Sequence, residues 1–242
     1  MTQTVPNENI QLFCVPHAAG SASMFGSWKE SLPSHIQLVP LELAGRGRRF
    51  NDPLYPDFQA ALNDLYNELL RQKLKQPYAL LGHSMGSLLA YELAMRLQEE
   101  ESQPPALLFL GGQRPPHRFA LGPRYAGLSD DELWSILLEG SQTPWDDHQY
   151  GEQIRDMYLP ILRADLHVCD SYRYIEGRGR YTGPVVVMNG ADDESIQGEQ
   201  QEWYELVNAP CHTLTFPGGH YFIYEDQERV IAAVIQHLKG VI

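Results

Sequence analysis

The chain is 242 residues long, above the roughly 100 to 200 residues usual for one domain yet within reach of a single large α/β unit. Hydrophobic residues make up 43% and charged residues 20%, and 8 Phe, 4 Trp and 13 Tyr supply apolar surface for a sizeable core, which excludes global disorder. With 18 Lys and Arg against 31 Asp and Glu the formal charge is −13, which argues against nucleic acid or an anionic membrane as the main partner.

Short apolar segments recur at Ile10–Val15, His35–Val39, Tyr78–Leu81, Ala106–Leu110, Pro184–Asn189 and His212–Phe216, and their brevity and flanking Pro and Gly predict strands. Between them, Asp57–Lys75 predicts a helix capped by Asp57, with Phe58, Leu62, Leu65 and Leu69 on one face. Ser87–Gln98 and Asp226–Lys239 predict two more helices packed on a sheet. Strand and helix in alternation imply parallel strands joined by right-handed crossovers, so the fold class is α/β, a mostly parallel sheet with helices on both faces.

The alternation breaks between Arg114 and Tyr181. There Ser129-Asp-Asp-Glu132 is a capping box opening a helix over Glu132–Glu139, and a second helix is expected over Leu159–Tyr174. Such a helical insertion, at about 114–181 within one domain of residues 1–242, is expected to lie over the carboxyl ends of the strands as a lid.

Cys14, Cys169 and Cys211 are too few and too scattered for a disulfide framework or a CxxC metal cluster, and their apolar neighbours make them packing residues. The longest apolar runs fall far short of the roughly 20 residues that span a bilayer. The opening MTQTVPNENIQ carries neither a basic nor an apolar export region, so a cytoplasmic chain is expected.

Gly82-His83-Ser84-Met85-Gly86 lies between the predicted strand Tyr78–Leu81 and the predicted helix Ser87–Gln98, the strand–turn–helix context of a nucleophile elbow. The glycines let helix and strand approach closely and leave the Ser84 hydroxyl exposed; the plainer reading is a serine that caps the helix. A serine hydroxyl needs a base, and of nine histidines His220 is singled out by Gly218-Gly219 immediately after a predicted strand. The base in turn needs an acid, and Asp193 follows the strand Pro184–Asn189, with Asp192 an alternative one residue away. The order Ser84, Asp193, His220 suits this topology.

A tetrahedral intermediate also needs two donors: the backbone N–H of Met85, after the nucleophile, and that of Ala18, in the small-residue turn after the first strand. HExxH, GxxxxGK[ST] and GxGxxG are all missing from the sequence, and Asp146-Asp147-His148 reads as a solvated loop, so no metal is expected. Arg46, Arg48 and Arg49 form the one dense basic run, either solvated surface or a grip on phosphate, and Arg178 and Arg180 form a weaker second.

With these residues in place, PHAAGSASMF (Pro16–Phe25), LELAGRGRR (Leu41–Arg49), GHSMG, LPILRADLHVCDSYRY (Leu159–Tyr174) and GGHYFI (Gly218–Ile223) resemble the type II thioesterases that accompany nonribosomal peptide synthetases and polyketide synthases. The resemblance spans nearly the whole chain, and its Leu-Arg-Ala-Asp segment belongs to the lid rather than to the generic core. It departs at Ala19, where the family commonly has the first glycine of a Gly-Gly pair, and at Ala44, where it has proline.

The resemblance implies an α/β-hydrolase fold with Ser84, Asp193 and His220 as nucleophile, acid and base, and with Ala18 and Met85 in the oxyanion hole. It also implies editing of stalled or misprimed acyl groups on the phosphopantetheine arm of acyl or peptidyl carrier domains, by a monomer with no cofactor of its own. Arg46, Arg48 and Arg49 are then expected to contact pantetheine or the carrier. The alternative of the same chemistry is a carboxylesterase or lipase-like hydrolase acting on small oxygen esters or free acyl thioesters.

Overall fold

A computed structural model describes residues 9–72, 74–75, 77–101, 103–120, 125–139, 151–196 and 198–241. In chain order they form β1 (Ile10–Val15), α1 (Trp28–Ser31), β2 (Ile36–Pro40), α2 (Phe58–Arg71), β3 (Tyr78–His83), α3 (Met85–Arg96) and β4 (Leu107–Gly111). Three helices follow, α4 (Pro116–Phe119), α5 (Asp130–Glu139) and α6 (Gly151–Ser171), and then β5 (Val185–Gly190), β6 (Cys211–Phe216), α7 (Phe222–Glu225) and α8 (Gln227–Leu238). Among the described residues no helix is long and apolar enough to cross a membrane. The expected Asp146-Asp147-His148 loop lies outside them.

The strands assemble in the order β2-β1-β3-β4-β5-β6, and each neighbouring pair is parallel. Parallel strands covered on both faces bury their side chains, which is why β1, β3 and β5 are buried throughout and read as mainly apolar runs rather than as alternation. Phe13, Leu80, Leu108 and Val187 meet α2 and α3 on one face, through Leu65, Leu88 and Tyr91. Leu12, Leu81, Phe109 and Met188 meet α8 on the other, through Val230 and Val234. The chain runs outward from β1 to β2 and then returns to add β3 on the opposite side of β1. Such a reversal opens a crevice beyond the carboxyl ends of β1 and β3, the place where open α/β sheets bind ligands.

The six expected strands are all present, β1 with the expected ends and the others displaced by one or two residues. Asp57 caps α2 by accepting from the Ala60 N–H at 2.7 Å, and Ser129 and Glu132 form the reciprocal cap ahead of α5. The helix expected over Leu159–Tyr174 begins earlier, at Gly151, and runs through Pro160. Proline removes a hydrogen bond from a helix interior, but Ile154 and Tyr158 before it and Leu162 after it share one apolar cluster with Leu133 and Trp134 of α5, and that packing carries the helix across.

The same cluster includes Ala19, so the inserted helices rest on the turn that follows β1. A second tie is buried: Arg178, after α6, donates to both carboxylate oxygens of Glu92 on α3 at 2.6 and 2.8 Å, and the Tyr172 hydroxyl donates to the same carboxylate at 2.6 Å. The weaker basic run is thus engaged internally at Arg178. Removing one partner of such a pair strands a buried charge, so Arg178→Met is expected to destabilise the fold by about 3–5 kcal/mol. The double variant Glu92→Met/Arg178→Met should recover most of that loss; urea unfolding of the two variants checks both outcomes.

Candidate active site

Ser84 stands between β3 and α3 with φ +54° and ψ −121°, a conformation that side chains rarely adopt. Its neighbours allow nothing looser. A Cβ on Gly82 would lie 2.1 Å from the Gly86 carbonyl oxygen, and one on Gly86 would lie 2.3 Å from that of Val15. The helix therefore starts in direct contact with β1 and β3, and only glycine fits at either point. The buried Ser87 hydroxyl lies 2.7 Å from both the Gly82 and the Gly111 carbonyl oxygens, and the Ser84 N–H donates to the latter. Strain at Ser84 is thus held by surrounding contacts, and the side chain is left pointing out of the turn.

His220 Nε2 lies 2.9 Å from Ser84 Oγ, and His220 Nδ1 lies 2.8 Å from Asp193 Oδ2. A carboxylate accepts only, so Nδ1–H donates to Asp193 and Nε2 is left to accept from the serine hydroxyl. Asp193 is 3% exposed. Burial pushes its carboxyl up, but the hydrogen bonds from His220 and from the Ser195 hydroxyl and N–H outweigh that and hold it below the usual 3.8. Asp192, the alternative, is exposed, and its backbone N–H donates to Gly218. A serine whose proton has an acceptor, and whose acceptor has a fixed tautomer, is arranged for nucleophilic attack.

Ala18 lines the same pocket as Ser84 and His220, about 460 Å³ in volume, and the apolar wall comes from the insertion: Phe119, Ile136, Leu162 and Leu166. Met85 opens α3, where helix geometry gives its N–H no acceptor within the helix. Two further histidines adjoin the site, His83 fully buried and His17 half-buried. His17 is lowered to about 4, mainly by burial, and His83 well below 6.5 for the same reason; the His83 ring packs on Phe222 at 5.3 Å.

The arginine run does not stand together at the pocket. Arg46 is 3% exposed and grips Asp165 of α6 through its two terminal guanidinium nitrogens, at 2.5 and 2.7 Å. Arg49 is held by Asp52 and Asp64. Arg48 alone of the three keeps its side chain mostly in solvent, 59% exposed, with Glu68 at 3.9 Å. Of the three residues expected at pantetheine or a carrier, Arg46 and Arg49 thus have their charges matched within the fold, and Arg48 is the one whose side chain is mostly in solvent.

Residues that sequence reasoning missed are Ser195, His17, Tyr224 and Asp165. An Asp followed two residues later by Ser is a local turn signal that points to Ser195. His17 adjoins Ala18 in the turn after β1, Tyr224 follows shortly after His220 and Asp165 closes the Leu-Arg-Ala-Asp segment, but nothing local shows that the three converge on one turn.

The thioesterase-domain family matches residues 10–239. The linear gramicidin dehydrogenase LgrE of Brevibacillus parabrevis is 30% identical over 96% of this chain and 88% of its own length; the name denotes a dehydrogenase, whereas GxGxxG is missing here. The structure of ClbQ from the colibactin NRPS/PKS pathway is similar with a TM-score of 0.87 and 29% identity, over 97% of this chain and 98% of that one. The type II thioesterase BorB from the borrelidin biosynthetic cluster is similar with a TM-score of 0.81 and 30% identity, over 97% and 94%. Family match, sheet topology and these likenesses agree, and the chain belongs to the thioesterase family of α/β hydrolases, among the type II thioesterases associated with nonribosomal peptide and polyketide synthesis.

Proposed function

We propose that this enzyme clears acyl groups from the phosphopantetheine arm of acyl or peptidyl carrier domains, through an acyl-Ser84 intermediate. The observation that supports this reading most directly is the hydrogen-bonded series Ser84–His220–Asp193 at the edge of an apolar pocket walled by the inserted helices. In this reading residues 1–242 act as one domain, the insertion at about 114–181 serves as its lid, and the enzyme works in the cytoplasm as a monomer without a cofactor of its own.

His220 Nε2 takes the Ser84 proton as Oγ attacks the thioester carbonyl, and Asp193 stabilises the imidazolium that results. The oxyanion accepts from the Ala18 and Met85 N–H groups. Collapse breaks the C–S bond and releases the pantetheine thiol, which is a good leaving group and takes the proton from His220. Water then attacks the acyl-serine carbonyl while His220 accepts its proton; the second collapse frees the carboxylic acid and returns the proton to Ser84. At a net charge of −13 the enzyme gains nothing from global attraction to an acidic carrier, so docking falls to local features, among them Arg48 and the exposed Met157 on α6.

Hydrolysis of acyl groups from a loaded carrier, run beside matched coenzyme A thioesters and p-nitrophenyl esters, tests the substrate class. Turnover that favours the carrier is the expected result, and turnover of oxygen esters alone would refute it. Ser84→Ala should lower the rate by about 10³-fold or more, with loss of organophosphonate labelling.

Asp193→Asn should leave Ser84 in place but lower kcat by roughly 10²- to 10⁴-fold, because the wrong tautomer of His220 then faces the serine. The carboxylate also carries a pH signature. Its folded-state pKa lies below the ordinary 3.8, so its ionised form stabilises the fold above that pH, and this contribution is lost as pH falls through the lowered value. The stability difference between the wild type and Asp193→Asn should therefore shrink on acidification, as measured by denaturant unfolding at stepped pH.

A further inference from the structure

The turn after β1 is held by more contacts than a surface turn needs. Gly20 N–H donates to the His17 carbonyl at 2.9 Å and closes the turn, with Ala18 and Ala19 between. Ala19 sits at φ +60°, in the left-handed region that disfavours any side chain. The peptide joining Ala18 to Ala19 is fixed at both ends. Its carbonyl accepts from His17 Nδ1–H at 2.8 Å, and that ring's Nε2 accepts from the Tyr224 hydroxyl at 2.7 Å. Its N–H donates to Asp165 Oδ2 at 2.7 Å, 146 residues away in sequence on α6.

Arg46 completes this arrangement. While it grips Asp165 with two nitrogens, it also donates to the carbonyls of Gly20 and Ala44, at 3.3 and 3.2 Å. A buried ion pair of this kind is a weak source of net stability, since apolar residues of similar volume serve as well or better. Its distinctive effect lies elsewhere: a buried carboxylate held in an ion pair is a strong acceptor for one particular backbone N–H.

We infer that Asp165, clamped by Arg46, is a positioning residue for the oxyanion hole: by holding the Ala19 N–H it keeps the His17–Gly20 turn in its strained form, with the Ala18 N–H set beside Ser84. Without that acceptor the middle peptide of the turn is free to flip, Ala19 relaxes to negative φ, and Ala18 shifts relative to Ser84. Because Asp165 belongs to the inserted helix α6, the seat of this helix and the geometry of the oxyanion hole are coupled. The inference rests on the proposed role of Ala18 as an oxyanion donor.

Two paired variants separate the acceptor from the charge. R46Q/D165N keeps a carbonyl oxygen for the Ala19 N–H, whereas R46M/D165L removes it while avoiding a stranded charge. With a soluble acyl thioester, R46M/D165L should lose about 10- to 100-fold in kcat with KM within about threefold of wild type, and R46Q/D165N should retain at least about a third of kcat. An alkyl boronic acid, whose tetrahedral serine adduct places an oxygen in the hole, should bind R46M/D165L more weakly by a similar factor. Equal kcat in the two pairs, or a change in KM alone, would overturn the inference.

Should R46M/D165L not fold, replacement of Ala19 by lactic acid removes the same hydrogen bond while leaving Arg46 and Asp165 intact, and the same loss of kcat is expected. Full activity of that ester variant overturns the inference. A wild-type chain without Ser84-dependent thioester hydrolysis would instead overturn the functional reading, and the inference with it. An active wild type with unaffected variants would overturn the clamp alone.

Discussion

The contact between the start of α3 and the carboxyl ends of β1 and β3 governs the remainder of this molecule. Gly86 lies against the Val15 and Pro16 carbonyls, and Gly82 lies against Gly86, at distances that exclude any Cβ. With backbone so close to backbone, the chain has one way to turn, and Ser84 is forced to positive φ at the apex. The turn after β1 is brought to the same spot by strand order, because β1 and β3 are neighbours at the point where the sheet reverses direction. Ser84 and the His17–Gly20 turn thus meet although both lie on short connections.

What the sheet does not supply comes from segments inserted or appended around it. The loop after β5 brings Asp193 and the loop after β6 brings His220, and their hydrogen bond bridges neighbouring strands. The helices between β4 and β5 supply the apolar wall of the pocket and, through Asp165, the buried partner of Arg46. Both sets of contacts give buried polar groups fixed partners, which offsets the cost of removing them from water.

Buried charge is concentrated at junctions. Glu92–Arg178 ties α3 to the end of the insertion, and Arg46–Asp165 ties the β1 and β2 loops to its middle. Arg49, Asp64 and Tyr55 continue the second network beneath the β2 loop, where the Tyr55 hydroxyl meets the Ala44 N–H. In each case a planar guanidinium meets a carboxylate through two nitrogens, a geometry that fixes orientation as well as distance.

The elements themselves were legible in the sequence because local rules decide them. Strands covered on both faces must be apolar throughout, amphipathic helices must repeat every three to four residues, and a serine between two close-packed glycines must sit on a tight turn. Ser84 and His220 could be named for that reason, each lying at the end of a recognisable strand. The sequence leaves Asp193 and Asp192 open, since adjacent residues on a loop differ only in which way they face; in the structure it is Asp193 that faces His220. Arg46, Arg48 and Arg49 look alike in a row of letters; burial and the arrival of Asp165 from 119 residues away make one of them a clamp, another a loop tie and the third a surface charge. Sequence determined what could be read from neighbours within a turn or a strand, and tertiary structure decided every partnership that required two distant segments to exclude water together.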